Sequence, residues 1–313
     1  MKASMRHILR LLAVLFLLLA SPTLSVGKVL VGVIMTADIP YYAEMHQAFV
    51  DGLKKRLPGD DDIQFILQRP FPDPIAWSNA ARKLIAIEVD LIVSYGAPAT
   101  QAVLFEKSKI PVVYAGVYEP EAEGITGRHV TGCGYRVPLS SLLRYFKRLK
   151  DINKLQVVYS SNEEDSVRQM TELVNLAQQQ DIALATVDIR SQGDIKKIKG
   201  IGREDAVYVT GSALAHVWIE DIVSLLREKK VPVVDIFSDS AETGMLITLF
   251  HPPGQQGEKA AEIAAKIIGG EPAENIAREL LRETELVFNL VEARKLGINF
   301  PLQLIVEATR VIK

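Results

Sequence analysis

Several side chains able to hold a small ligand fall just after short apolar runs in this chain: the acids Asp38, Glu119, Asp239 and Glu242, and the group Ser161, Asn162, Asp165 and Ser166. Acids in such places suit a ligand amino group. A helix start rich in Ser and Asn suits a carboxylate, because its first N–H groups are free and carry partial positive charge. The turn Gly96, Ala97, Pro98, Ala99, Thr100 is built of small residues that would let a ligand approach the backbone closely. Thr36, Thr210, Ser212 and Ser238 add hydroxyls in corresponding positions, and Tyr41, Tyr42, Tyr118 and Phe237 are aromatics able to sandwich a flat or apolar ligand body. Each has a plainer reading beside it. Ser161 and Asn162 serve equally as helix caps, the acids as solvated loop residues, the 96–100 turn as a helix start with Pro in its first turn, and Phe237 as core.

The motifs of several enzyme classes are missing. The chain has no GxSxG nucleophile elbow, no GxGxxG after its first apolar run, no GxxxxGK[ST] phosphate loop and no HExxH. His46, His129, His216 and His251 are spread over different segments without ligand spacing, so no metal and no cofactor is expected. A single cysteine, Cys133, excludes an internal disulfide and any Cys-based zinc cluster. The formal net charge of −2 over 313 residues gives no electrostatic case for nucleic acid.

The elements that must position these residues follow one pattern used twice. The run 28–35 predicts a strand, 41–57 a helix, 63–67 a strand, 74–87 a helix, 91–95 a strand, 99–106 a helix and 112–117 a strand. A helix over 139–149 follows Pro138, and the alternation resumes with strands at 155–159, 182–189, 206–209 and 233–237 and helices at 163–180 and 214–229. Asp90-Leu-Ile-Val-Ser-Tyr-Gly resembles Asp205-Ala-Val-Tyr-Val-Thr-Gly, and Ile110-Pro-Val-Val-Tyr resembles Val231-Pro-Val-Val-Asp, in the same order in both halves. Alternating strands and helices imply parallel βαβ units, so the fold class is α/β with two Rossmann-like parallel-sheet lobes. The remainder predicts a strand at 245–250, a helix at 255–268, a strand at 286–289 and a terminal helix at 301–312, too little for a third domain. It should return across the first two through a multi-stranded hinge near 134–138, 245–250 and 286–289. The expected organisation is a lobe of residues 28–135 plus about 250–285 and a lobe of 136–249 plus about 286–313.

Residues 1–27 read as a targeting segment. Lys2, Arg6 and Arg10 precede the apolar run 11–20, and Ser25-Val26-Gly27 offers small residues for cleavage before Lys28. The run is shorter than the roughly 18–20 residues that span a bilayer, so a cleaved secretory signal is expected rather than an anchor. With Cys133 as the only cysteine, no cysteine stands at the cleavage site to carry a lipid. The mature chain is thus expected outside the cytoplasm, in the periplasm.

In open parallel sheets ligands sit at the carboxyl ends of the strands, and the residues singled out above occupy those ends. On this pattern the chain resembles the ABC transporter substrate-binding proteins of the periplasmic binding protein type I fold, in the branch that includes tryptophan- and aromatic-amino-acid binders. The resemblance rests on DLIVSYGAPATQA from Asp90, IPVVYAGVYEP from Ile110, VTGCGY from Val130 and KLQVVYSSNEEDS from Lys154. It continues through VPVVDIFSDSAETG from Val231, GQQGEKAAEIAAKIIGGEPA from Gly254 and LVFNLVEARKLGINFP from Leu286. It implies a two-lobed, monomeric receptor that closes on a small ligand, an amino acid among the candidates, and presents it to an ABC permease. Carried over by position, the contacts are Thr36, Tyr41, Gly96, Ala97, Pro98, Ala99, Thr100, Tyr118, Glu119, Asn162, Asp165, Ser166, Thr210, Ser212, Ser238, Asp239 and Glu242. The sequence departs from the family at Thr210-Gly211-Ser212-Ala213, which is smaller and less charged than the hydroxyl or Asp often found there. A sensing or protein-interaction module of the envelope, without transport, is the alternative, and an exported α/β enzyme acting through cleft acids is a further one.

Overall fold

Strands made of continuous Val, Ile and Leu are stable only where both faces are covered, and the chain meets this by placing helices on both sides of parallel sheets. The computed structural model describes residues 28–57, 63–149, 154–237 and 243–313. The 1–27 targeting segment and Ser238, Asp239 and Glu242 lie outside the described residues.

The first sheet takes β1 (Val29–Met35), β2 (Ile63–Gln68), β3 (Leu91–Tyr95), β4 (Val112–Tyr118) and β5 (Val130–Tyr135), with α1 (Pro40–Arg56), α2 (Pro74–Ala86) and α3 (Ala97–Phe105) between the first four strands. The second takes β6 (Lys154–Tyr159), β7 (Ala183–Asp188), β8 (Asp205–Val209), β9 (Val233–Asp235) and β10 (Ile247–Phe250). Its connections include α5 (Glu164–Gln179), a 3₁₀ helix over Gln192–Gly200, α6 (Ala213–Val217) and α7 (Ile219–Glu228), and α4 (Leu139–Leu149) leads into it. The strand order is β2-β1-β3-β4-β5 in one and β7-β6-β8-β9-β10 in the other, all parallel, so the sequence repeat is a repeat of topology. Both orders reverse beside their third strand, and the loops there form the crevice of an open α/β sheet.

The rest of the chain returns to both sheets. After β10 it crosses to α8 (Pro253–Ile268), which packs along α1, and to β11 (Glu279–Leu281) on the edge beside β5. It then crosses back to β12 (Glu285–Asn289), antiparallel to β10, passes through α9 (Leu290–Leu296) and α10 (Leu302–Ile305), and ends in β13 (Arg310–Ile312) beside β12. Three connections therefore join the lobes, near residues 136–138, 251–252 and 282–284. The first coincides with the predicted hinge. The other two flank the strands 245–250 and 286–289, which are both inside the second sheet.

Four local expectations are corrected. Residues 130–135, for which no strand is predicted, form β5, because β4 and β11 pair with both its edges. The helix predicted over 214–229 breaks at Trp218, whose backbone (φ −118°, ψ 25°) leaves the helical region. The terminal helix predicted over 301–312 ends at Ile305, and residues 310–312 form β13 after the Thr309 N–H has bonded the Leu286 carbonyl. The start of α5 is not capped by Ser161 or Asn162. Ser161 bonds Asp188 through its N–H and its Oγ (2.9 and 2.8 Å), and Glu163 occupies the cap position with its side chain directed elsewhere.

Candidate functional site

The strand ends of the two lobes meet, and the contact is aromatic. Tyr41, in the first turn of α1, stacks on Phe237, which follows β9, with ring centroids 4.2 Å apart and planes 7° from parallel. Tyr42 meets both rings edge-on, and His216 packs against Phe237 with ring centroids 4.4 Å apart. Tyr118 and Tyr135 are a further edge-to-face pair nearby. Tyr41 and Phe237 are 0% and 1% exposed, so one apolar cluster runs from the first lobe into the second. Polar groups fix these rings. Gln256, near the start of α8, donates its amide to the Tyr41 hydroxyl (2.8 Å) and accepts from the Gly116 N–H (2.9 Å). His216 lies between the Ser212 carbonyl (2.7 Å) and the Asp235 carboxylate (3.1 Å).

Two buried carboxylates stand at the start of α5, with different attachments. Glu163 accepts from Ser212 Oγ (2.6 Å), Ala213 N (2.7 Å) and Leu214 N (3.0 Å), so the start of α6 already holds an anion from the chain itself. Asp165 is 4% exposed and accepts from the Ser166 N–H (3.0 Å), and among the described residues no cation pairs with it. Burial raises the pKa of both acids, and for Asp165 the neighbouring charges of Glu163 and Glu123 add to the shift. Burial likewise pushes Tyr42 and Tyr135 well above the phenol range, and the Asp165 charge adds to both shifts. An unpaired buried carboxylate is costly, and its usual remedies are protonation or a cation from outside.

The first lobe offers the opposite sign. Gly96 caps α3 with φ 88° and ψ 156°, a conformation essentially reserved for glycine. An added Cβ there would stand 2.4 Å from Thr36 Oγ1 and 2.5 Å from the Tyr42 hydroxyl. Thr36 donates to the Tyr95 carbonyl (2.7 Å) and accepts from Ala99 N (3.3 Å), and Thr100 donates to the Gly96 carbonyl (2.8 Å) and meets Ser94 (2.9 Å). The first turn of α3 carries no acid, and Pro98 has no N–H to donate.

The remaining candidates divide between internal bonds and the rim. Ser166 accepts from the Ser160 N–H (3.0 Å) and meets Thr210 Oγ1 (2.7 Å), while Ser212 is committed to Glu163. Tyr118 donates to Glu172 of the second lobe (3.1 Å). Asn162 is exposed, and lines a groove of about 330 Å³ at the junction with Trp77, Pro98, Gln101, Phe105 and Glu164. Glu119 pairs with Arg136 (2.8 Å), and Asp38 pairs loosely with Arg69 (3.5 Å). Further bonds clasp the lobes: Gln101 to Glu164 (2.8 Å), and the Arg168 guanidinium to the Glu123 carboxylate and the Ala122 carbonyl. Among the described residues no group of three or more His, Cys, Asp or Glu could hold a metal ion, and no helix is long and apolar enough to cross a membrane.

Sequence reasoning missed Glu163 as a ligand of α6, Gln256 as the partner of Tyr41, and His216 behind Phe237. Glu163 lies 50 residues from Ala213 and Gln256 lies 215 from Tyr41, and no local spacing reports such pairs. His216 stands four residues after Ser212, one helical turn beyond a strand end, and that position was the available signal.

Comparison with known proteins gives a consistent picture. A family model described as ABC transporter substrate binding protein matches residues 30–312. A tyrosine-binding protein of Clostridioides difficile is 22% identical over 269 residues, which are 83% of this chain and 78% of that protein. The structure of an ABC domain in complex with L-Trp from Streptococcus pneumonia superimposes with a TM-score of 0.86 at 21% identity, over 91% of this chain and all of that one. A ligand-free, open substrate-binding protein from Clostridium difficile gives 0.64 at 22% identity, over 91% and 99%.

Proposed function

The chain belongs to the family of ABC transporter substrate-binding proteins, and from that premise we propose that it closes on an aromatic amino acid outside the cytoplasm and delivers it to a membrane permease. The family and the structural neighbours are solute binders and not enzymes, and the two parallel-sheet lobes are those of a type I periplasmic binding protein. On this reading residues 1–27 are a cleaved signal that sends the chain to the periplasm. The lobes are residues 28–135 with about 250–285 and residues 136–249 with about 286–313.

The observation that carries the reading is Asp165. A carboxylate buried between the lobes without a cation is completed by a ligand ammonium, and the tyrosines and Phe237 around it suit an aromatic side chain. The ligand carboxylate then falls to the start of α3 at the Ala97 N–H, since Glu163 holds the start of α6 and the N–H groups of Ala99 and Thr100 bond Thr36 Oγ1 and the Gly96 carbonyl. Tyrosine and tryptophan are the ligands named for two relatives. The better superposition on the tryptophan complex than on the open chain, at nearly equal identity, supports reading this arrangement as closed. Closure follows from the ligand bridging both lobes, because only a contact made in the closed form shifts the population toward it.

Titration calorimetry with L-tyrosine, L-tryptophan, L-phenylalanine and L-leucine tests this. Saturable binding of an aromatic member, with a smaller radius of gyration by X-ray scattering, is the expected result. Binding without a change in dimensions removes the closure mechanism, and heat from none of the four removes the ligand class.

A further inference from the structure

Outside the lobe junction, a groove of about 410 Å³ on the first lobe is lined by Tyr114, Pro120, Glu121, Arg278, Leu280 and Arg282, among others. Tyr114 sits in β4 and is fully buried, and its hydroxyl has no hydrogen-bond partner. Buried polar groups are nearly always paired, so an orphan phenol at a groove wall points to something that the groove receives. Burial holds this hydroxyl protonated, above the usual phenol range, with the Arg278 guanidinium pulling the other way and Glu121 adding to the rise. Both of those charged groups line the groove with Tyr114, and a hydroxyl kept protonated is a donor at neutral pH.

The charges around it favour a single anion. Arg278 donates to the carbonyls of Val130 (3.3 Å) and Gly127 (2.8 Å), which uses two of its five N–H groups. Arg282, exposed in the third connection between the lobes, has no carboxylate partner among the described residues. Two other lining acids are already neutralised: Glu119 by Arg136 (2.8 Å) and Glu279 by Lys259 (3.2 Å). Glu121 remains as the one exposed, unpaired acid of the lining, and it disfavours a dianion. Pro120, Ala122 and Leu280 supply an apolar floor.

We propose that this groove is a second binding site, separate from the lobe junction, for a small organic monocarboxylate with an apolar body. The carboxylate accepts from the Tyr114 hydroxyl and from the free N–H groups of Arg278 and Arg282, and the body rests on Leu280 and Pro120. The assignment does not depend on the ligand proposed for the junction.

The test is a titration of the whole protein with benzoate, followed by backbone amide shifts in NMR. Saturable shifts are expected at Glu121, Ala122 and Leu280, with those of Ala99 and Asp165 unmoved. Arg282→Ala should weaken benzoate by about tenfold, and Tyr114→Phe, which keeps the ring and removes only the hydroxyl, by several-fold. Benzyl alcohol, with the same body and no charge, should not saturate. The site is overturned if nothing saturates below about 10 mM, if shifts fall only at the lobe junction, or if both variants bind benzoate as before. Tighter binding of inorganic phosphate or equal binding of benzyl alcohol overturns the carboxylate assignment.

Discussion

The two lobes use the same turn after their third strands and treat it in opposite ways. β3 ends at Tyr95, just before Gly96, and β8 at Val209, two residues before Gly211, and each glycine precedes a helix. In the second lobe that helix start is occupied by Glu163 and capped by Ser212, whose Oγ accepts from Ala215 N (3.1 Å). In the first lobe no acid is present, and the glycine itself is held in a conformation that other residues avoid. One helix start is thus neutralised by a carboxylate of the chain, and the other carries no acid, its Ala99 and Thr100 N–H groups bonding only neutral oxygens. The buried acid without a cation, Asp165, lies on the neutralised side. Related topology with unequal filling gives the junction a polarity, with the ammonium toward the second lobe and the carboxylate toward the first.

The sharpest way to break this contrast is Asp165→Asn. Loss of one partner from a buried charge pair costs about 2–5 kcal/mol, so affinity for L-tyrosine or L-tryptophan should fall by roughly thirty-fold to several thousand-fold in calorimetry. The free protein should melt no lower than before, since the carboxylate there has no cation to lose. A large drop in melting temperature with affinity unchanged would make Asp165 a structural acid and abolish the polarity.

The glycines come next. Gly96→Ala places a Cβ 2.4 Å from Thr36 Oγ1 at φ 88°, so strain and overlap together should destabilise the fold by about 3 kcal/mol in denaturant titration. Gly211→Ala meets its nearest neighbour, Gln169 Nε2, at 3.1 Å without positive φ, and should cost under about 1 kcal/mol. Equal costs would mean that the two turns are not held differently. Glu163→Gln lies between these. An amide cannot accept from Ser212, Ala213 and Leu214 at both of its ends, so roughly 1–2 kcal/mol of stability should be lost, with ligand affinity less affected than by Asp165→Asn.

Much of this polarity is invisible in the sequence for a physical reason. Runs such as 91–95 and 206–209 declare themselves as buried strands, and their repetition in order fixes both sheets before any contact is known. Val130-Thr-Gly-Cys-Gly-Tyr does not, because its two glycines have low strand preference, and only pairing to β4 and β11 makes it a strand. The helix expected near the carboxyl end had the right apolar residues, but the edge of β12 outbid it for residues 310–312. At the junction, Asp165 and Glu163 stand two positions apart and read alike as first-turn acids. Their difference, one engaged with a helix 50 residues away and the other without a cation, exists only in the folded chain.

The smallest expected effect is a pH dependence, and it tests the polarity without a mutation. Burial first, then the charges of Glu163 and Glu123, hold Asp165 above its ordinary value of 3.8, so the free protein carries a proton there to higher pH than the unfolded chain does. A folded pKa above the unfolded one contributes stability that is complete below the ordinary Asp range and is lost as pH climbs through the raised value. Ligand binding runs the other way. An ammonium favours the ionised carboxyl, so the proton leaves on binding, and affinity should rise by at most about tenfold per pH unit up to the raised value and then level off. Calorimetry in two buffers of different ionisation enthalpy reads the released proton directly, and Asp165→Asn should abolish both the release and the slope. An affinity flat in pH, with no proton released, would place the ligand ammonium elsewhere and leave the second lobe without its proposed role.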